Sequence, residues 1–309
     1  MILNEILMRD TEKNHGKKKL VKRTTINNEA LSIKQVAYFM EKATIIQALY
    51  DDRKTLNPND TILINSKKLE NYKIKVDGEY IRIVDINTNF QYGYFSLGNK
   101  KLKRDIDNTY IIWNITQKTS CQYKTKECDR ICYADNYPNN LQRNLMGRHK
   151  NLILSTFTNF EEIFLEVIEI VNKIFSTNIW IRIHESGDFY NLAYFRKIVN
   201  ICNSNSYNNV ALAYTKNLSL IGDINKLDEN SNISVRYSIM SDTTENNQRL
   251  VLKNDLNTFI CANMENNNNI PVCGDNCSTC HLCYDNTIKN IIVKPHGKAK
   301  HKVKIGGNE

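Results

Sequence analysis

From Leu31 to Leu49 the apolar residues Ile33, Val36, Ala37, Met40, Ala43, Ile46 and Leu49 recur at intervals of three and four, the spacing of an amphipathic helix. The period then shortens to two. Thr61–Ile64, Tyr72–Val76, Tyr80–Val84 and Phe90–Phe95 read as short strands, with Asp77-Gly78 as the hairpin turn between the second and third. These elements predict a small α+β appendage over residues 31–104, preceded by a basic arm over 1–30 that carries Lys17, Lys18, Lys19, Lys22 and Arg23.

Beyond residue 105 strands and helices alternate. Tyr110–Ile115 reads as a strand, and Thr158-Asn-Phe-Glu161 as a capping box opening a helix whose apolar stripe is Phe160, Ile163, Phe164, Val167, Ile168, Val171, Ile174 and Phe175. Ile179–Ile183 is nearly all apolar, as expected of a strand covered on both faces. A helix from Leu192 to Cys202 follows, with Cys202 on its apolar stripe as a small buried hydrophobe. Further strands are expected at Val210–Tyr214, Ile233–Tyr237, Phe259–Ala262 and Ile291–Val293. Six strands joined by helical crossovers imply an α/β fold whose parallel sheet curls into a partial barrel over residues 105–296, followed by a basic tail over 297–309.

The cysteines change the picture from fold to chemistry. Seven of nine fall in two windows, Cys121/Cys128/Cys132 and Cys273/Cys277/Cys280/Cys283. Thiolates so close in sequence can converge on one metal centre. In the second window the intervening gaps are three, two and two, more crowded than the two separated knuckles of a zinc ribbon, which favours a 4Fe-4S cluster with zinc as the alternative metal. In the first window three thiolates leave a coordination position open, which Cys261 is the candidate to close. A parallel sheet binds ligands at the carboxyl ends of its strands. Arg182, His184, Glu185, Asp188, Tyr214 and Lys216 fall near such ends as candidate catalytic residues, and Ser186, Gly187 and Arg236 as cofactor-binding ones.

Several of these residues belong to ordered motifs. Gly98-Asn-Lys-Lys-Leu102, Cys121, Cys132-Tyr133-Ala134, the run from Arg182 to Phe189, Tyr214-Thr215-Lys216 and the closing Cys-x-x-Cys-x-x-Cys together resemble the phage gene-product-88-like family. That family is similar in turn to the radical S-adenosylmethionine (radical SAM) proteins. The resemblance implies a partial (β/α)6-type barrel, one or two iron–sulfur clusters and S-adenosylmethionine as a cofactor. The radical SAM triplet has gaps of three and two; here the first window has gaps of six and three, and only Cys273/Cys277/Cys280 repeats the usual spacing.

Composition bounds the rest. The 309 residues are 41% hydrophobic, enough to bury a sizeable core. The chain shows no run of about 20 apolar residues and no signal peptide, so a cytoplasmic protein with no membrane partner is expected, its thiols kept reduced. Lys and Arg outnumber Asp and Glu by 42 to 33, a net charge of +9 that points to DNA or RNA as a partner, although the Asn-, Lys- and Ile-rich composition also follows from AT-rich coding. Two classes of function stand side by side: an iron–sulfur enzyme acting on an anionic substrate or nucleic acid, and a metal-stapled nucleic-acid-binding protein without catalysis. A hydrolase or nuclease using His184, Glu185 and Asp188 with a divalent metal is a third.

Overall fold

The computed structural model describes residues 68–132, 134, 141–204, 209–227, 230–261, 270–274 and 276–293. The helix expected over residues 31–49, the strand at 61–64, the basic arm and the basic tail lie outside the described residues.

Nine strands form one sheet in strict chain order: β1 (Tyr72–Asp77), β2 (Tyr80–Asp85), β3 (Gln91–Leu97), β4 (Asn108–Trp113), β5 (Asn178–Ile183), β6 (Asn209–Thr215), β7 (Ile233–Ile239), β8 (Thr258–Cys261) and β9 (Asn290–Val293). β1 to β4 pair antiparallel, and β4 to β9 parallel. The fold is therefore mixed α/β with six parallel strands, as the periodicity predicts. The sheet does not close: β1 and β9 are its two edges. The three N-terminal strands are joined to it, because Ser96 and Leu97 pair with Ile112 and Ile111, so the expected appendage extends the same sheet.

Side chains alternate along a strand, so the two faces of the sheet take different residues. One face carries Ile111 and Trp113, Ile179, Ile181 and Ile183, Ala211 and Ala213, and Ile233, Val235 and Tyr237. It packs on α3 (Leu141–Thr156), α4 (Phe160–Phe175) and α5 (Leu192–Asn203) in a single apolar core. Phe95, Trp113, Phe160 and Phe164 meet at its centre, with ring centroids 4.6 to 6.0 Å apart. α4 begins one residue later than a capping box requires. Its N-cap is Asn159, which makes no cap hydrogen bond because its amide is committed elsewhere: Oδ1 accepts from the Leu69 amide at 2.8 Å and Nδ2 donates to the Leu69 carbonyl at 3.0 Å.

The opposite face carries Tyr110 and Ile112, Trp180 and Arg182, Leu212 and Tyr214, Ser234, Arg236 and Ser238, and Phe259 and Cys261. No long helix among the described residues lies on it. Instead two non-repetitive segments cross it. Leu102, from the loop after β3, packs with Tyr110, Ile112, Trp180 and Cys277. The segment around α8 (Cys277–Cys280) is pinned by Arg236, which is fully buried and donates to the carbonyls of Cys283 (2.7 Å), Ile288 (2.8 Å), Asp285 (2.7 Å) and Leu282 (3.3 Å). Among the described residues no helix is long and apolar enough to cross a membrane.

Candidate metal and substrate site

The loops after β4, β5 and β6 are tied together at the carboxyl edge of the sheet by Asp188. Its Oδ1 accepts from the Phe189 amide and the Thr215 hydroxyl, both at 2.7 Å, and its Oδ2 from the Lys216 amide at 2.9 Å. Its own amide donates to the Ser120 hydroxyl at 3.0 Å. Burial raises the pKa of this carboxyl, against the opposing pull of those donors and the Lys216 charge. Gly187 precedes it at φ 95°, and a Cβ there would stand 2.5 Å from Ile115 Cγ1 and 2.9 Å from the Ser120 hydroxyl, so only glycine lets the two loops touch. Ser186 joins the same contact, its hydroxyl donating to Gln117 Oε1 at 2.9 Å and its amide to Asn114 Oδ1 at 2.9 Å.

His184 departs from the expected geometry. β5 stops at Ile183, and His184 adopts left-handed backbone at φ 59°. That change of sign turns away from Arg182 the side chain that strand alternation would place beside it, so the two do not share a face. The ring lies in the helix-side core against Phe189, with centroids 4.7 Å apart, and Nε2 meets the Tyr194 hydroxyl at 2.8 Å. It is 3% exposed, and Nδ1 has no partner among the described residues. Burial first, and the Arg182 charge second, lower its pKa to about 3, so the imidazole is neutral near pH 7. Glu185, the next residue, is turned to the other side and accepts from Asn99 Nδ2 at 2.6 Å.

Thiols from two distant parts of the chain lie within electrostatic reach of the Lys216 ammonium. Burial alone would lower the pKa of Lys216, but the thiols of Cys128 and Cys261, the Asp188 carboxyl and the Cys121 thiol outweigh it, and the pKa is raised. Cys121 in turn is within electrostatic reach of Asp188, Cys128, Lys216 and Cys132, and burial pushes its thiol well above the ordinary range. Cys128 sits on α2 (Lys126–Ile131), whose N-terminus is fastened twice: Thr125 accepts from the Cys128 amide at 3.1 Å, and Asp242, after β7, accepts from the Glu127 amide at 2.7 Å. So Cys121, Cys128 and Cys132 from the connection after β4, and Cys261 from the end of β8, are brought to one region of the carboxyl edge.

The second group of thiols lies against the open face. The Arg182 guanidinium stacks over the Tyr214 ring at 4.0 Å, and Tyr214 packs on Phe259 at 4.3 Å. Tyr214 lies within electrostatic reach of Cys283 and Cys277; burial, ahead of these, drives its pKa well up. Burial likewise raises the Cys277 thiol to about 11, with Arg182 and Lys101 opposing and Cys273 and Cys283 reinforcing the shift. Lys101 reaches this group because Gly98, at φ 84°, opens a tight loop in which Asn99 Oδ1 accepts from the amides of Lys101 and Leu102, while the Lys101 carbonyl accepts from Ser278. His281, beside this group, stacks flat on Trp180 at 4.1 Å, and its Nε2 is 3.0 Å from the Tyr110 hydroxyl. Lys101 and Asp242 fall outside the residues expected from the sequence. Lys101 at least sits within the Gly98–Leu102 motif, whereas nothing in the sequence marks Asp242.

All nine cysteines are free thiols. Among the described residues no three His, Cys, Asp or Glu side chains converge closely enough to hold a single metal ion. The thiols are grouped, each group beside a partly buried cation, Lys216 or Arg182, without being drawn together at a point.

A family model described as Gene product 88 matches residues 93–302, more than half of the 309. The chain belongs to this phage family. No curated protein and no solved structure matches it. The family match begins within β3, so it takes in every cysteine, Lys216, Asp188 and Arg182, and leaves β1 and β2 outside.

Proposed function

We propose that this Gene product 88 family member is an iron–sulfur enzyme. Cys121, Cys128 and Cys132, with Cys261 beside them, hold one centre at the carboxyl edge; Cys273, Cys277, Cys280 and Cys283 hold a second against the open face. The observation that supports the reading is that Cys121, Cys128 and Cys261, from two distant parts of the chain, all lie within electrostatic reach of the Lys216 ammonium. An iron–sulfur cluster takes its thiolates on separate irons, so it can span thiols contributed by different loops.

Charge supports the same assignment. Buried thiols with raised pKa stay protonated until a metal takes the proton's place, and a cluster with several thiolates brings net negative charge into the site. Lys216 balances that charge at the edge and Arg182 on the face, while Asp188 fixes the backbone at Lys216 and Arg236 fixes the segment bearing Cys283. When bound, such a centre supplies an electron and, at an iron lacking a thiolate, a position for a cofactor such as S-adenosylmethionine or for substrate. Arg182, Glu185, Tyr214 and Lys216 bind and orient an anionic group there; His184, neutral and buried, acts through Tyr194 as a positioning residue, and Ser186 and Gly187 shape the loop. Six parallel strands in consecutive order are compatible with the partial barrel that the radical SAM resemblance implies, and a cytoplasmic setting, proposed with it, would keep the thiols reduced.

The test is iron, sulfide and zinc analysis of anaerobically purified full-length protein, with electron paramagnetic resonance before and after adding S-adenosylmethionine. A brown protein with about four or eight irons per chain is expected, with the spectrum altered by the cofactor. Cys128→Ala should lose iron and Cys202→Ala should keep all of it. A colourless protein carrying zinc alone overturns the proposal.

A further inference from the structure

The open side of the sheet does not end at the thiols. Register carries it on through the antiparallel half: Ile112 pairs with Ser96, Ser96 with Tyr80, and Arg82 with both Tyr94 and Lys75. Tyr80, Arg82, Lys75 and Lys73 therefore lie on the same side as Arg182, and the loop bearing Lys100 and Lys101 folds over that side between them and Cys277.

On the helix side Lys173 pairs with Glu169, Arg196 and Lys226 with Asp223, and Arg249 with Glu245, while Lys197 and Lys253 enter none of these ion pairs. On the open side Arg82 pairs with Asp77 at 3.2 Å, and among the described residues the neighbouring Lys73, Lys75, Lys100, Lys101 and Lys103 enter no ion pair. Lys75 donates to Asn89 at 2.8 Å, and these two with Asp77, Arg82 and Gln91 line a concavity of about 610 Å³ on this face. Beside it Tyr80 keeps 41% of its surface exposed while its ring packs edge-on against Tyr94 at 5.8 Å.

We infer that this face binds a single-stranded nucleic acid, laid from Tyr80 and Lys75 across the Lys100–Lys101 loop toward the Cys277 segment. Unpaired lysines in a row match successive phosphates, and an exposed ring held rigid among them offers a base a stacking partner. A duplex keeps its bases stacked on each other and gains nothing from that ring, so the surface favours a single strand. The inference does not rest on the iron–sulfur reading, because it uses neither thiols nor metal.

Fluorescence anisotropy of the full chain with labelled oligo-dT, and with its duplex, tests it, iron being measured on the same samples so that the two readings fail separately. Lys73→Glu with Lys75→Glu should weaken binding at least tenfold and flatten the salt dependence by about 1.4, two phosphates at about 0.7 each for a single strand. Tyr80→Ala should cost about tenfold. Lys226→Glu with Lys253→Glu, the same charge change on helix-side elements, should leave binding as it was. Equal losses from both pairs, or duplex binding as tight as single-strand binding, overturns the inference; unchanged circular dichroism of each variant shows that folding is not the cause.

Discussion

The two faces of the nine-stranded sheet are built by opposite rules. On the helix side most inward positions from β4 to β7 are apolar or small and face the apolar core shared with α4 and α5, the exceptions being Thr109, Asn209 and Thr215 at the strand ends. On the other side the same strands present Arg182, Tyr214, Ser234, Arg236 and Cys261, and what covers them is non-repetitive chain held by side-chain-to-backbone hydrogen bonds. A face that is only packed stores stability; a face whose polar groups are satisfied by loops stores arrangement. The two groups of thiols, Lys216 and Arg182 beside them, and the lysines of β1 and of the Lys100–Lys101 loop fall on the second face or at its rim, whereas Cys202 lies in the helix-side core.

The sharpest way to break this contrast is to remove mass from the first face. Phe164→Ala should cost about 4 kcal/mol in urea unfolding, since the ring is fully buried among Phe95, Trp113 and Phe160 and leaves a cavity. It should leave iron content per folded chain unchanged. On the second face Arg236→Leu removes four hydrogen bonds at once and leaves the carbonyls of Cys283 and Ile288 without donors, those of Leu282 and Asp285 keeping a backbone amide. A cost of about 3 kcal/mol is expected, with amide hydrogen exchange accelerated selectively at residues 282–293. If exchange speeds up evenly over the whole chain instead, Arg236 is an ordinary core residue and the two faces do not differ in this way.

His184 gives the contrast a pH signature. Its folded pKa lies at about 3 against an ordinary value of 6.5, so below pH 6.5 the unfolded chain takes up a proton that the folded chain refuses. Stability attributable to this group is therefore complete above pH 6.5 and falls as pH is lowered, by about 2 kcal/mol at pH 5, levelling near pH 3. Urea midpoints measured across that window should fall accordingly, and His184→Gln should remove this part of the slope. An unaltered slope in the variant would mean that the imidazole is exposed to water in solution.

Much of this was legible in the sequence, for identifiable reasons. The apolar periods place all nine strands, α4 and α5, because hydrophobic spacing is set by the local geometry of each element. The rule that parallel strands gather ligands at their carboxyl ends anticipates that Cys121, Asp188 and Lys216 meet. Long-range and single-residue facts escape such reading. Nothing local says that Ser96 will pair with Ile112 and fuse the antiparallel strands to the parallel ones. The positive φ of His184 reverses one side chain without any mark in composition. Arg236 reads as a strand-end ligand residue until the segment that accepts its hydrogen bonds is seen to cross the face.

The smallest effect separates the local reading from the tertiary one at the start of α4. A capping box would make Thr158 the N-cap, and its loss to alanine would cost about 1 kcal/mol. In the fold Thr158 is exposed and lies before the cap position, while Asn159 holds both backbone groups of Leu69. Thr158→Ala should then change stability by less than about 0.5 kcal/mol, and Asn159→Ala by several times as much, because it strands a buried amide and a buried carbonyl near β1. Thermal or urea unfolding of the pair decides it: a larger loss at Thr158 than at Asn159 would restore the capping box, and with it a start to α4 owed to local sequence instead of to the strand it anchors.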